Sequence, residues 1–184
     1  MVERLLDTQE VEGSIPSTPT TKKFMKTHQP QIIPILKDSY LKMIKYSPGS
    51  RLFRHFYVYK NDKRVNAVKN GRLSCAFFVS FILHNFDLIK QSHLTVKSTI
   101  KDMQKSGWTK IKKPKKGAVI VWQEKIGSDG QVHKHIGFYV SYQRVISNSF
   151  KKRTPILHHW TFGLRSSKTY RQITDIFWHH KLNN

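Results

Sequence analysis

The chain contains little cysteine and few acidic residues. Cys75 is the single cysteine among 184 residues, which excludes an intramolecular disulfide and any zinc site made of cysteines alone. Eleven acidic residues stand against 33 lysines and arginines, so the formal net charge is +22. This excess of positive charge favours contact with a polyanion, such as a nucleic acid, an acidic lipid or an anionic wall polymer.

Long apolar segments are also absent from the sequence. The longest apolar run, residues 73–83, falls far short of the ~20 residues that a membrane-spanning helix needs. Residues 1–24 contain no apolar core of the kind found in secretory signal peptides. The sequence therefore predicts no membrane span and leaves the localisation open between the cytoplasm and export by an unrecognised route. It does not indicate an oligomeric state.

Residues 1–24 differ in composition from everything that follows. Four of the 11 acidic residues lie there, and the segment 13–20 is small, polar and interrupted by proline. Such a segment cannot bury enough apolar surface to become ordered, so we expect a disordered tail followed by one domain over residues 25–184. The run Gly-Ser-Ile-Pro resembles a translated tRNA T-arm, which indicates a mis-annotated start and makes Met25 the expected first residue.

The periodicity of apolar residues changes along the chain from helical to extended. Helical spacing, with capping and breaking residues at the ends, predicts helices at 35–46, 74–84 and 95–105. Alternating or continuous β-branched and aromatic residues predict strands or extended segments at 53–59, 117–122, 132–139, 144–149, 155–162 and 173–178. Helices followed by a run of strands favour an α+β domain with an antiparallel sheet over a parallel βαβ fold.

Cys75 lies where the second of these helices begins, directly after Ser74, a good N-cap residue because its hydroxyl can accept from a free amide of the first turn. The partial positive charge of a helix N-terminus can lower the pKa of a thiol and so favour the nucleophilic thiolate. The apolar residues that follow also fit a cysteine that is only a small core residue. Cys75 alone does not decide between these two roles.

His135 lies on the predicted strand that opens a hairpin. A two-residue turn at Ser141 and Tyr142 would place Asn148 directly opposite His135, and a turn shifted by one residue would keep the two on the same face. A three-residue loop would bring Ser147 to that position instead. An oxygen there could accept from one ring nitrogen of His135 and direct the other nitrogen toward a thiol. A Cys–His–Asn relay of this kind is expected of a thiol hydrolase.

Four segments follow one another in an order that resembles the CHAP and NlpC-like cysteine amidohydrolases. They are Leu-Ser-Cys-Ala-Phe-Phe-Val at 73–79, Lys-Gly-Ala-Val-Ile-Val-Trp at 116–122, His-Ile-Gly-Phe-Tyr at 135–139 and Ile-Ser-Asn at 146–148. The resemblance covers roughly residues 70–150 and implies a papain-like α+β domain that cleaves amide bonds, among them those of peptidoglycan peptides. Ser74 and Ala118 depart from the family pattern, which has Asp or Gln before the cysteine and Asp at the strand entry.

By this resemblance Cys75 is the nucleophile, His135 is the general base and Asn148 orients His135. The backbone amide of Cys75 would help to stabilise the oxyanion, a contribution typically of ~10²–10³ in rate for each donor. The resemblance implies no cofactor and no metal. A second oxyanion donor, usual in papain-like enzymes, is left open among three residues upstream of the cysteine: Tyr57, Tyr59 and Asn70.

Two other interpretations of the sequence compete with the hydrolase. The basic run 112–116, flanked by Trp108 and Trp122, could contact phosphates while the two tryptophan rings stack on bases. The alternative function is therefore that of a nucleic-acid- or polyanion-binding protein with an inactive version of the fold. No RRM, KH, zinc-finger or helix-turn-helix pattern accompanies this run. Adjacent histidines, as at 158–159 and 179–180, point to opposite faces of a strand. Each pair can therefore offer only one ligand to a given site, and no metal site is predicted.

Overall fold

The computed structural model describes residues 31–127, 130–165 and 168–183, and the predicted tail at 1–24 lies outside these ranges. The helices are α1 (Leu36–Tyr46), α2 (Cys75–Asn85) and α3 (Val96–Lys105), with single 3₁₀ turns at Leu52–Arg54 and His180–Leu182. The strands are β1 (Tyr57–Lys60), β2 (Lys63–Asn66), β3 (Trp108–Lys110), β4 (Val119–Ile126), β5 (Val132–Ser141), β6 (Arg144–Asn148), β7 (Pro155–His159), β8 (Leu164–Arg165), β9 (Lys168–Thr169) and β10 (Ile173–His179).

Six of the strands form one antiparallel sheet in the order β3–β10–β4–β5–β6–β7. The pairs β1–β2 and β8–β9 form two small antiparallel ribbons apart from this sheet. The three helices and the antiparallel sheet confirm the predicted α+β class. The helices at 35–46, 74–84 and 95–105 are confirmed to within one residue at each end.

Helix α2 packs against β5 and β6 and forms the centre of the main core. It is apolar on nearly every side because it is buried on nearly every side, and Phe78 and Ile82 are fully inaccessible to solvent. The Phe78 ring lies 5.5 Å from the Phe138 ring in an edge-to-face arrangement. Each such buried side chain contributes roughly 1.5–3 kcal/mol, so the start of α2 is held firmly against the sheet.

The opposite face of the sheet carries a second, smaller apolar cluster around Ile120, Trp122 and Val145. Residues 119 and 121 of the same strand belong to the main core under α2. The first half of β4, residues 119–122, is therefore buried on both faces, which explains why its sequence is a continuous apolar run rather than an alternating one. The two clusters define the two faces from which side chains reach the site.

The strand or extended segment predicted at 53–59 is confirmed only in its second half. Leu52–Arg54 form a 3₁₀ turn, and β1 begins at Tyr57. The turn directs Phe53 into the core, where its ring lies 4.9 Å from that of Phe78. Burial of one aromatic side chain thus overrides the local preference for a strand. In the described ranges, no helix combines the length and apolar character that crossing a lipid bilayer requires.

Candidate active site

Cys75 and His135 line one cavity of about 710 Å³ beside the first turn of α2. Both residues are half-buried at its wall, and Asn148 and Arg171 also line it. Within the described ranges, no hydrogen bond joins the Cys75 thiol to the His135 ring. The structure thus brings the predicted nucleophile, base and orienting residue to one cavity without direct thiol–imidazole contact.

The segment just before Cys75 is tied to β6 through one carbonyl. The Gly71 carbonyl accepts hydrogen bonds from the Ser74 hydroxyl, at 3.2 Å, and from Nδ2 of Asn148, at 2.7 Å. Gly71 has a φ of +81°, and a Cβ there would lie 2.5 Å from the Arg153 carbonyl oxygen, so only glycine fits this turn. The prediction that Ser74 is the N-cap residue of α2 is confirmed, but the predicted capping bond is wrong, because the Ser74 hydroxyl makes none to α2.

The predicted pairing of Asn148 with His135 is also wrong. The hairpin turn lies one residue further on, at Tyr142 and Gln143, and a bulge between Tyr139 and Ser141 precedes it on β5. Ser147 therefore stands opposite Gly137, and the side chain of Asn148 donates to the Gly71 carbonyl instead. Oδ1 of Asn148 is buried and has no hydrogen-bond partner among the residues described. In this structure Asn148 positions the start of α2 and does not orient His135.

Ser147, the other candidate for this position, contacts His135 directly. Its Oγ lies 2.8 Å from Nε2 of His135 and 2.7 Å from Nε2 of His158. Nδ1 of His158 lies 2.8 Å from the backbone carbonyl of His159. These contacts form a continuous chain, which we call the His135–Ser147–His158 relay.

The direction of each hydrogen bond in the relay follows from the carbonyl at its end. A carbonyl only accepts, so Nδ1 of His158 carries a proton, and Nε2 of the neutral ring must accept from the Ser147 hydroxyl. The Ser147 oxygen then accepts from Nε2–H of His135. This leaves Nδ1 of His135 unprotonated, which is the form that acts as a base.

Burial keeps both relay histidines neutral. It lowers the pKa of His135 well below its ordinary value of 6.5, and the charge of Arg171 and the proximity of the titratable His158 lower this pKa further. Burial also lowers the pKa of His158, although its bond to the His159 carbonyl opposes the change. At neutral pH the relay therefore carries no charge.

The pKa of the Cys75 thiol is raised, contrary to the prediction of a lowered one. Burial is the largest cause and outweighs four opposing influences, among them the backbone amides of Ala76 and Ile136 and the charge of Arg171. The first turn of α2 does favour the thiolate, but desolvation costs it more. In the free protein the thiol and the imidazole are both uncharged near neutral pH.

The two side chains approach the cavity from different sides of the sheet. The His135 ring packs against Trp122 and Phe162, with centroids 5.4 Å away in each case. Cys75 instead packs against the main core, next to Ile136 on the alternate face of β5. The cavity at this end of the sheet is the space in which thiol, imidazole and a bound molecule can meet.

Sequence reasoning missed two residues of this site, His158 and Arg171. Nε of Arg171 donates to the Gln123 carbonyl at 2.9 Å and Nη2 donates to the His133 carbonyl, which places the guanidinium at the cavity wall. The sequence marks His158 only as one of a pair of adjacent histidines and does not mark Arg171, because the pairing of β7 and β10 with the sheet brings His158 and the residue just before β10 to the cavity. The three candidate oxyanion donors, Tyr57, Tyr59 and Asn70, are not among the lining residues. The described chain contains no cluster of three metal-binding side chains.

Comparison with known proteins identifies no family for this chain. No protein-family model, no curated protein and no solved structure matches it. The functional interpretation therefore rests on the chemistry of the cavity.

Proposed function

We propose that this protein is a papain-like cysteine hydrolase that cleaves an amide bond, with Cys75 as nucleophile and His135 as general base. The observation that carries the proposal is the relay, which leaves Nδ1 of His135 unprotonated on a residue that lines the same cavity as Cys75. A buried cysteine with only a packing role needs no such arrangement. The nucleophile-bearing helix packed on an antiparallel sheet also agrees with the sequence resemblance to the CHAP and NlpC-like enzymes.

The first chemical step starts from the uncharged pair. As the Cys75 sulfur attacks the substrate carbonyl carbon, the thiol proton passes to Nδ1 of His135, directly or through one water molecule in the cavity. The C–S bond forms, and the electrons of the carbonyl π bond move to the oxygen. The backbone amides that already favour the thiolate, those of Cys75, Ala76 and Ile136, are the candidate donors to this developing charge.

The second step releases the amine. The His135 imidazolium gives its new proton from Nδ1 to the leaving nitrogen as the C–N bond breaks, and an acyl-thioester remains on Cys75. Water then attacks the acyl carbon with His135 as base, which releases the carboxylic acid and restores the thiol. Nε2–H of His135 stays hydrogen-bonded to Ser147 throughout, so the relay holds the ring in both protonation states.

In this proposal Ser147 takes the part that the resemblance assigned to Asn148. Its oxygen accepts from Nε2–H and its own proton is held by His158, so the ring of His135 has one preferred tautomer. Asn148 contributes by fixing the turn before Cys75. The substrate class implied by the resemblance, the peptides of peptidoglycan, is the first to test.

The test is hydrolysis of purified peptidoglycan and of fluorogenic peptide amides by the parent chain and by Cys75→Ala and His135→Ala. We expect each substitution to lower the rate by at least ~10³-fold, because nucleophile and base act as one unit. His180→Gln, at an exposed histidine outside the cavity, is the matched control and should retain full activity. Hydrolysis that persists in Cys75→Ala would contradict the proposal.

A further inference from the structure

The wall of the cavity is strongly cationic. Its lining includes five lysines and arginines and one carboxylate: Arg72, Lys97, Lys125, Lys134, Arg171 and, as the acid, Glu124. That carboxylate lies 3.7 Å from the ammonium group of Lys134, so it already has a cationic neighbour. The remaining positive charges give the cavity a field that attracts anions.

Arg171 is the cation best placed to bind an anion beside the reacting groups. Hydrogen bonds to the carbonyls of Gln123 and His133 fix its guanidinium, yet in the described part of the chain no carboxylate forms an ion pair with it. Its charge acts on both Cys75 and His135. A guanidinium held in place is pre-organised to bind a carboxylate through its remaining N–H groups.

Two further cations lie against aromatic rings of the cavity wall. The Lys125 ammonium donates to the Tyr170 carbonyl at 2.8 Å and lies 3.5 Å from the centroid of the Tyr170 ring. The Arg72 guanidinium lies 5.6 Å from the centroid of the Phe150 ring. These contacts hold positive charge at the cavity next to apolar surface, an arrangement suited to a molecule with both a carboxylate and an apolar part.

We infer that the substrate is an amide with a carboxylate close to the bond that is cleaved, and that Arg171 binds this carboxylate. The inference rests on the proposed function for the cleavage itself. Arg171 is thus a specificity-determining residue, while Arg72 and Lys97, both exposed, attract the substrate to the cavity.

The single cysteine permits a test that does not require the substrate. Iodoacetate and iodoacetamide are similar in size and both alkylate the thiolate, but only iodoacetate is an anion. The ratio of their rate constants therefore cancels the thiol pKa and reports the local field at Cys75. We expect the ratio of the iodoacetate to the iodoacetamide rate constant to be higher for the folded chain than for the model thiol N-acetylcysteinamide, by about fivefold or more.

Substitutions and salt should change this ratio in a defined way. Arg171→Gln should bring the ratio close to that of the model thiol, and 0.5 M salt should reduce it because ions screen the cavity charges. Lys113→Gln removes one positive charge from an exposed position outside the cavity and should leave the ratio unchanged. If Arg171→Gln does not fold, the double variant Arg72→Gln/Lys97→Gln provides a second test and should lower the ratio by about twofold or more.

Each outcome bears on one of the two proposals. A ratio equal to that of the model thiol, or one lowered equally by Lys113→Gln, would overturn the assignment to Arg171. A high, Arg171-dependent ratio in a chain that hydrolyses no amide would uphold the anion site and contradict the hydrolase. A Cys75 that reacts with neither reagent in the folded chain would contradict both.

Discussion

Gly137 and Ser147 lie so close across β5 and β6 that no side chain fits at position 137. A Cβ there would lie 2.6 Å from the Cβ of Ser147, 2.7 Å from the Ile146 carbonyl oxygen and 3.2 Å from the Trp122 ring. Gly137 therefore permits the relay, because any larger residue would push Ser147 away from His135. This close approach gives a physical reason for the glycine in the His-Ile-Gly-Phe-Tyr segment.

Gly137→Ala should accordingly destabilise the protein and disturb the relay. Overpacking of this kind typically costs about 1–3 kcal/mol, which urea unfolding would measure. Ser147→Ala breaks the relay without the steric overlap and separates the two effects. Unchanged stability in Gly137→Ala would show that β6 moves freely, contrary to the tight packing described.

Ser147 and Asn148 are adjacent residues with different expected effects on His135. Ser147→Ala leaves the relay histidines without their shared partner, so we expect the preferred tautomer of His135 to be lost and the hydrolysis rate to fall by about 10- to 100-fold. Asn148→Ala should cost about 1–3 kcal/mol of stability through the lost bond to Gly71 and leave the tautomer unchanged. The ¹⁵N chemical shifts of the imidazole nitrogens report the tautomer independently of activity. A tautomer that changes only in Asn148→Ala would restore the original assignment.

Stability should decrease as the pH falls below about 6.5. Burial lowers the folded-state pKa values of His135, His158 and His179, so the unfolded chain binds more protons than the folded one below the unfolded value of ~6.5. The stabilisation that comes from burying neutral histidine rings is fully present above that pH. It is lost as the pH falls from there toward the folded-state pKa values of these histidines. Urea unfolding from pH 8 to pH 5 measures the slope. His135→Gln should make the slope shallower, and an unchanged slope would contradict the burial of a neutral ring.

Asp102 should be far more important for stability than a partly exposed aspartate. It accepts hydrogen bonds from the Lys90 and Gln91 amides, from Nε2 of His93 at 2.7 Å and from the Ser106 hydroxyl. Burial alone would raise its pKa, but these bonds together lower it. Asp102→Asn should therefore cost about 2–4 kcal/mol in urea unfolding at pH 7.

The matched control is Asp175→Asn, which removes the ion pair between this partly exposed aspartate and the exposed Lys110, at 2.6 Å. We expect a loss below about 1 kcal/mol, because solvent screens this pair. Since the folded-state pKa of Asp102 is depressed, its contribution is present above ~3.9 and lost as the pH falls below that value. Equal losses in the two variants would mean that Asp102 has no special role.

The pH dependence of alkylation should show a thiol that is protonated at neutral pH. Because burial raises the pKa of Cys75, the iodoacetamide rate should keep rising above the ordinary thiol pKa of ~8.5. Arg171→Gln should raise the apparent pKa further, since the guanidinium favours the thiolate. An apparent value well below ~8.5 would instead indicate a preformed thiolate–imidazolium pair.

Local sequence patterns were sufficient for the three helices, for the longer strands β4 to β7 and β10, and for one end of the site, but not for the short strands β2, β3, β8 and β9. Helical spacing gave α1, α2 and α3, and the change to extended patterns gave the antiparallel sheet, because periodicity and end signals act over a few residues. The same local signals predicted that Cys75 begins a helix and that His135 lies on a strand of a hairpin.

Only the tertiary structure decided how these residues combine. A one-residue displacement of the hairpin turn and a bulge on β5 placed Ser147, not Asn148, beside His135, and no local pattern sets that register. The relay partner His158, on β7, and the guanidinium of Arg171, just before β10, come from segments that are distant in the chain. The raised thiol pKa likewise follows from packing, because desolvation depends on every neighbour in space. The sequence by itself therefore determined the elements and their chemical groups, and long-range packing determined which groups meet and in which protonation state.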